Sequence, residues 1–498
     1  MRISLPLLLV LLSVAFFGCG GGGSAFGDGG RPDGGDLDGT LVGDGPGFGF
    51  GDSGNGGDGG PCTGLQCQQT CASTSISGKV YDPASVNGLY NVFVYVPNAP
   101  LAPITDGPVC TACQAPASGN PIASATTDAL GNFTIPNAPV GQNIPLVLQL
   151  GKWRRHLTIS NVTACVDNPQ PDKSLRLPKK QHETSGDDNI PLMAMTTGCD
   201  GAECFFLKRI GLDQSEFVGA TGSGRVHIYK SSNDEQQTFP GGAGSASTLW
   251  NTKTEMMKYD IIFDACECST YTRGSNGYAN MLAYLNAGGR AFATHFFYNF
   301  FANQTQCGGD TTCNGVAPLP TVGAWEGNQF LPFANATDCA NHGSCLNIDT
   351  QIPRGKAFAD WYKANNSKIA PTWGNEAYGY CGLTDIREDM GQLNASLVAA
   401  GTATPWLYAG DVKSNYDAYY FSFNTPVGTN PAIQCGRAIF SDVHLAEAPS
   451  FGGAFPSYCA TDPNTGTHAP NELALEFLFF DLSSCVQNDT QPPPPPPN

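Results

Sequence analysis

The sequence predicts a multidomain protein: a small all-β sandwich, then a doubly wound α/β domain with a mostly parallel sheet, behind a disordered Gly-rich N-terminal tether. Three observations predict it. Roughly half of residues 20–60 are glycine with aspartate scattered among them, too little apolar surface to offset the entropy of ordering a backbone. From Ser75 to Ile159 short runs of alternating hydrophobicity are separated by Gly and Pro turns. From Met256 to Phe301 the chain reads strand, turn, helix, strand.

The elements follow in order. Arg2, an apolar run from Ile3 to Phe17, and Gly18-Cys19 have the layout of a secretion signal over residues 1–18, too short for a comfortable membrane span. The sequence Phe16-Phe17-Gly18-Cys19 resembles a bacterial lipobox, which implies lipidation of Cys19 and a membrane anchor. Residues 19–72 would then be the tether, with a reach of roughly 35 Å. Nineteen cysteines in a chain with 14% charged residues suit an oxidising compartment and disulfides. A formal charge of −18 repels phosphate backbones, and no basic stripe offsets it, so nucleic acid is excluded as a partner.

The sandwich is placed at 73–167, with strands at Ser75 to Tyr81, Val92 to Val96, Ala123 to Thr126, Asn132 to Ile135, Ile144 to Leu150 and His156 to Ile159. Three motifs, Ser77-Gly78-Lys79-Val80-Tyr81-Asp82-Pro83, Thr127-Asp128-Ala129-Leu130-Gly131-Asn132-Phe133 and Pro139-Val140-Gly141, resemble the carboxypeptidase regulatory-like (prealbumin-like) family. The resemblance implies a spacer or binding module, in some members with a carbohydrate-binding-like fold, and no catalytic residues. Trp153, flanked by Lys152, Arg154 and Arg155, is a candidate for stacking on a sugar ring; packing at the rim is the competing role.

A polar linker at 168–189 leads to the α/β domain at 190–486. Tyr259 to Phe263 and Arg290 to Thr294 are apolar, β-branched runs of the kind buried on both faces of a sheet. Between them Tyr278, Met281, Leu282 and Leu285 fall at helical spacing, with Ser275 or Asn276 able to cap the start and Gly288 able to end it in the left-handed conformation. Such a crossover joins parallel neighbours. Residues 302–380 form a Cys-rich insertion, later strands are expected at Trp406 to Ala409, Tyr419 to Phe423 and Arg437 to Ser441, and Leu473 to Leu482 is a final apolar helix. Residues 487–498 are a Pro-rich tail suited to docking on a partner.

Tyr259-Asp260-Ile261-Ile262, the helix ending Gly288-Gly289-Arg290, Ala293-Thr294-His295 and Gly436-Arg437-Ala438-Ile439-Phe440 together resemble the class I glutamine amidotransferase-like superfamily, nearest its ThuA-like branch. The resemblance departs where the chemistry belongs: the elbow, Gly-x-Cys-x-Gly in an amidotransferase, reads Ala293-Thr294-His295-Phe296-Phe297. Glutamine hydrolysis is therefore not expected, and Cys266 and Cys268 are expected to be bridged. The candidate catalytic residues at the carboxyl edge are His295, Asp442, His444, Asp264 and Glu267.

No cofactor is implied by any motif; neither GxGxxG, GxxxxGK nor HExxH occurs. A divalent metal held by the histidines and carboxylates is the one ion these residue types accommodate. The expected function is that of a surface-anchored envelope lipoprotein acting as a binding or structural module on a glycan or envelope protein, facing periplasm or cell exterior, with a non-catalytic amidotransferase-like domain. The alternative is a hydrolase acting on glycans or related envelope material through the His/Asp cluster, with metal assistance.

Overall fold

A computed structural model describes residues 62–110, 117–198, 200–231, 237–330, 346–366, 383, 386–409, 418–445, 453–459, 462–464 and 469–492. The leader, Cys19, residues 20–61 of the tether and residues 493–498 of the Pro-rich tail lie outside the described residues; residues 62–72, read as tether, are held by disulfides, and Asp489, read as tail, is buried against Arg437. Among the described residues no helix is long and apolar enough to cross a membrane.

The alternating strands of the first part form two four-stranded sheets. One places Ser75–Tyr81 between Asn132–Pro136 and Asp167–Pro169, with Leu175–Arg176 at its far end; the other runs Pro121–Thr126, Phe93–Pro97, Gly141–Leu150, Trp153–Val162, antiparallel throughout. Period-two patterning sets the inner faces: in Asn132–Pro136 only Phe133 and Ile135 are buried, and they join Ile76, Val80, Val94, Leu146 and Leu148 in one core. Cys62–Cys67 and Cys71–Cys165 disulfides fasten the entry to this layer. The expected linker is bound rather than loose. Asn189 exchanges backbone hydrogen bonds of 2.9 and 2.8 Å with Arg154, and Asp188 accepts from the His156 N–H at 2.8 Å.

The second part is a mixed sheet. Its order is Phe217–Gly219, Val226–Lys230, Met193–Thr196, Ile261–Asp264, Arg290–Thr294, Gly436–Ser441, Ala418–Thr425, Ala403–Ala409 and Leu346–Ile348. The first six strands in that order are mutually parallel and the remaining three antiparallel. Ile261–Asp264 and Arg290–Thr294 are parallel neighbours, as their spacing predicts, with Asp264 level with Ala293. Successive side chains of these strands enter opposite cores. Met193, Met195, Ile261, Phe263, Phe292 and Ile439 share a core with the helix Ala469–Ser483, while Ala194, Ile262, Ala291, Ala293, Ala438 and Phe440 share one with the helix Gly274–Asn286. Gly288 takes φ +100° just past the Gly274–Asn286 helix, and a Cβ there would sit 2.5 Å from the Val109 carbonyl oxygen. The helix start differs from expectation: it begins at Gly274, and Arg273 at the cap position makes no side-chain capping bond.

Pro61–Asn498 forms one compact unit, so sandwich and mixed sheet share an interior. The Ala469–Ser483 helix lies between them and is buried on nearly every side, its apolar residues spread around the axis with Asn471, Glu476 and Asp481 buried among them. From its sequence face Phe477 stacks on Tyr90 at 5.8 Å, and Phe479 and Phe480 meet Trp153 at 6.3 and 5.8 Å. Cys110–Cys435 ties the two parts covalently, and Arg225 pairs with Asp106 at 2.6 Å. Trp153 is therefore fully buried against Phe479 and Phe480 and presents no ring face to a sugar; the packing role holds.

Candidate functional site

Four neighbouring strands deliver their carboxyl ends to one place. Met193–Thr196 runs on to Asp200, Ile261–Asp264 to Cys266, Arg290–Thr294 to His295 and Gly436–Ser441 to His444. The chain leaves Met193–Thr196 toward one side of the sheet and returns to Ile261–Asp264 on the other, so the loops flank the point where strand order reverses. The first two loops are pressed together: a Cβ on Gly198 would lie 1.9 Å from the Cys266 carbonyl oxygen, so only glycine permits the approach.

His295 occupies the elbow. Its φ is +40°, a left-handed backbone that a non-glycine residue adopts at a cost of about 1–3 kcal/mol, and the chain turns there from strand into the short 3-10 helix His295–Phe300. The imidazole thus stands at the turn from strand to 3-10 helix, a position without a thiol of its own. The thiol comes from the adjacent loop: the Sγ of Cys266 and a ring nitrogen each of His295 and His444 all lie within 4.8 Å of one another. The two imidazole centroids are 5.1 Å apart, with ring planes at 74°.

Each ring is oriented by a buried carboxylate. His295 Nδ1 lies 2.9 Å from Asp389 Oδ2, and His444 Nδ1 lies 2.7 Å from Asp200 Oδ1. Thr294 donates its hydroxyl to the other Asp200 oxygen at 3.1 Å. Burial works against the Asp200 anion, yet His444 beside it, the Thr294 hydroxyl and the charge of His295 hold its carboxyl below the usual range. Asp442 stands one layer back. Its carboxyl oxygens accept the backbone N–H groups of Asp389 and Met390 at 3.2 and 3.3 Å. Burial, reinforced by the Asp389 charge and a carboxyl–carboxyl hydrogen bond, pushes Asp442 well above the ordinary carboxylate range. Burial and the nearby Asp200 likewise push the Cys266 thiol up, while backbone N–H groups of Cys268 and Phe296 aimed at the sulfur pull in the opposite direction.

Of the predicted residues, His295 and His444 converge, and Asp442 accepts the backbone N–H groups of Asp389 and Met390, behind the carboxylate that orients His295. Asp264 and Glu267 are corrected. Glu267 forms a buried ion pair with Arg273, whose guanidinium lies over Phe297 at 4.6 Å and Phe300 at 4.9 Å. Asp264 is fully buried beside the same Arg273 and makes no side-chain hydrogen bond among the described residues; burial pushes it well above the carboxylate range, which keeps it neutral. The interactions of both acids thus run to an arginine rather than to the histidines. Cys266 and Cys268 are not bridged to each other: Cys268 is oxidised, whereas Cys266 is a free, buried thiol.

Sequence reasoning missed Asp200, Asp389 and the part played by Cys266. Asp389 lies on Arg387–Leu393, which pairs with Gly323–Phe330 outside the main sheet, and nothing in its spacing ties it to residue 295. A signal for Asp200 was present, an acid directly after an apolar strand and a glycine turn. The site is nearly closed. His295 and Asp389 side chains are 2% and 0% exposed, and although the His444 side chain is 15% exposed its Nε2 is buried. A cavity of about 250 Å³ lined by Lys152, Asp260, Arg290 and Ser483 lies at the amino ends of the same strands, on the opposite edge of the sheet.

No family model matches the chain, and no curated protein matches it significantly. Among solved structures it is similar to an N-terminal interface mutant of a type II cohesin–X-dockerin complex from Acetivibrio cellulolyticus, at 16% identity over 26% of this chain and 79% of that one, with a TM-score of 0.16. A C-terminal interface mutant of that complex aligns at 16% identity over 25% and 76%, with a TM-score of 0.15. A cytoplasmic protein from Salmonella typhimurium aligns at 11% identity over 60% of this chain and all (100%) of that one, with a TM-score of 0.28. Likeness at these scores carries neither fold nor function across.

Proposed function

We propose that this chain is an envelope-anchored lipoprotein whose α/β part, of the doubly wound, ThuA-like amidotransferase-like type, is a hydrolase acting on glycans or related envelope material. One observation carries the reading: two histidines from neighbouring loops, each with Nδ1 fixed by a buried carboxylate, meet with ring centroids 5.1 Å apart. A Nδ1–H bonded to a carboxylate leaves Nε2 as the ring's lone-pair nitrogen, the tautomer a general base requires. One imidazole takes a proton from water as its oxygen attacks the substrate; the other, protonated, gives its proton to the departing group. Buried acids such as Asp200, Asp389 and Asp442 are expensive to fold around, which disfavours a purely structural role for the cluster. The leader, the glycine tether and the prealbumin-like sandwich support the envelope setting and its substrates. Wild type, His295→Ala and His444→Ala should be assayed on a panel of glycans and esters. Turnover reduced at least about 100-fold in both variants is the expected result. Absence of turnover on every substrate, or equal turnover in the variants, would return the chain to the binding or structural role.

A further inference from the structure

We propose that Cys266, His295 and His444 form a mononuclear zinc site, with Sγ and two imidazole Nε2 atoms as ligands and the fourth position open. The proposal rests on reading this cluster as a working site, and it deepens the hydrolase reading by naming its ion. The three donor atoms come from three different loops yet lie within 4.8 Å of one another. Ligand atoms around a tetrahedral zinc are about 3.3–3.8 Å apart, so the ion need draw them in by no more than roughly 1.5 Å.

Four further features suit a metal. Each Nδ1 is already bonded to a carboxylate, Asp389 at 2.9 Å and Asp200 at 2.7 Å, the arrangement that fixes a ligating ring and leaves Nε2 for the ion. Cys266 is reduced while the other described cysteines, including Cys268 two residues on, are oxidised. The loop that carries the thiol is held against the Asp200 loop, since a Cβ on Gly198 would lie 1.9 Å from the Cys266 carbonyl oxygen. Three protein ligands with one open position is the pattern of catalytic rather than structural zinc.

Charge selects the ion. A divalent metal with one thiolate and two neutral imidazoles leaves a single positive charge, which the carboxylates of Asp200 and Asp389 offset; monovalent copper would leave those acids uncompensated in a buried place. Binding forms the Zn–S bond as the S–H bond breaks, and the thiol proton leaves to solvent. With water in the fourth position the ion would supply Lewis-acid activation of that water; the two rings, their Nε2 atoms on the ion and their Nδ1 atoms on Asp389 and Asp200, would then act as ligands in place of the proton transfers of the metal-free reading.

The test uses the full secreted chain with disulfides intact, stripped by chelator. Zinc is titrated by calorimetry and cobalt by absorption, in wild type, Cys266→Ser, His444→Gln and Asp389→Asn, each checked for fold by circular dichroism. One ion per chain is expected, with a sulfur-to-cobalt charge-transfer band that Cys266→Ser abolishes. Asp389→Asn should weaken zinc by about 10–100-fold. If Cys266→Ser does not fold, loss of stoichiometric binding in His444→Gln serves instead. No zinc bound at micromolar concentration, zinc bound equally well by folded ligand variants, or a preference for copper over zinc would overturn the assignment. Zinc bound without turnover would sink the hydrolase reading and leave the site standing; turnover by a zinc-free protein would do the reverse.

Discussion

Trp153→Ala tests whether the sandwich is a separate spacer or shares one body with the mixed sheet. The indole is fully buried and meets Phe479 and Phe480, residues of the helix that also covers the mixed sheet. Truncating a buried tryptophan removes about 3–5 kcal/mol, and its nitrogen makes no hydrogen bond among the described residues, so the loss is one of packing. Against a net stability of about 5–15 kcal/mol this is a large fraction. The shared core makes the loss common to both parts. In guanidinium, with disulfides intact, tryptophan fluorescence and far-ultraviolet circular dichroism should follow one transition, shifted together to lower denaturant. Phe477→Ala, from the helix side of the same junction, should shift that same transition. Two separated transitions, with only one moved by Trp153→Ala, would refute the shared interior. A loss below about 1 kcal/mol would refute the packing argument itself.

Other predictions follow from buried charge and thiol state. Burial outweighs the pull of Arg209 and lifts Glu472 from 4.5 to about 7; because the folded value is the higher, its stabilising contribution is complete below 4.5 and disappears as pH rises through about 7. That difference corresponds to about 3 kcal/mol, so Glu472→Gln should match wild type near pH 4 and exceed it at pH 8 in denaturant melts, and equal stability at both would contradict the assignment. Arg437 is fully buried and reaches Asp489 through two 3.0 Å bonds; Arg437→Ala should lower stability by about 3–5 kcal/mol, and an unchanged melt would show that Arg354 alone suffices for Asp481 and Asp489. Alkylation of the denatured, unreduced protein followed by peptide mapping should label Cys266 and leave Cys268 unlabelled; a Cys266 disulfide would remove the thiol from the site.

The central sheet was legible because its signals are local. Ile261, Ile262 and Phe292 sit in runs too apolar for anything but a doubly covered strand, and the intervening periodicity forces a crossover that makes them parallel. His295 and His444 were legible for the same reason, each a polar residue at the end of such a run. Asp389 was not, because its position depends on a hairpin whose partner strand begins more than sixty residues earlier, a pairing no window of sequence contains. Asp264 and Glu267 were misplaced by the opposite error. They also end a strand, but Arg273 folds back over Phe297 and Phe300 and takes them. Cys266 and Cys268 illustrate a further limit: cysteine counting fixes the compartment, whereas the choice of which thiol stays reduced is made by loops that meet only in three dimensions.

The shared interior gives the sandwich a part in the site that a spacer would not have. Asn87, in the turn after the first sandwich strand, donates to Glu476 at 2.8 Å on the Ala469–Ser483 helix. Near the start of the same helix Asn471 donates to the His444 carbonyl at 2.6 Å, fixing the loop that carries the imidazole. One rigid helix, clamped by Tyr90 and Trp153 on one side and by Phe263 on the other, therefore sets where His444 stands relative to His295. Catalytic groups must be held to within a fraction of an ångström, and a helix buried on every face is the stiffest support this chain offers. The helix therefore serves the geometry of the carboxyl edge as much as the stability of the two cores it joins.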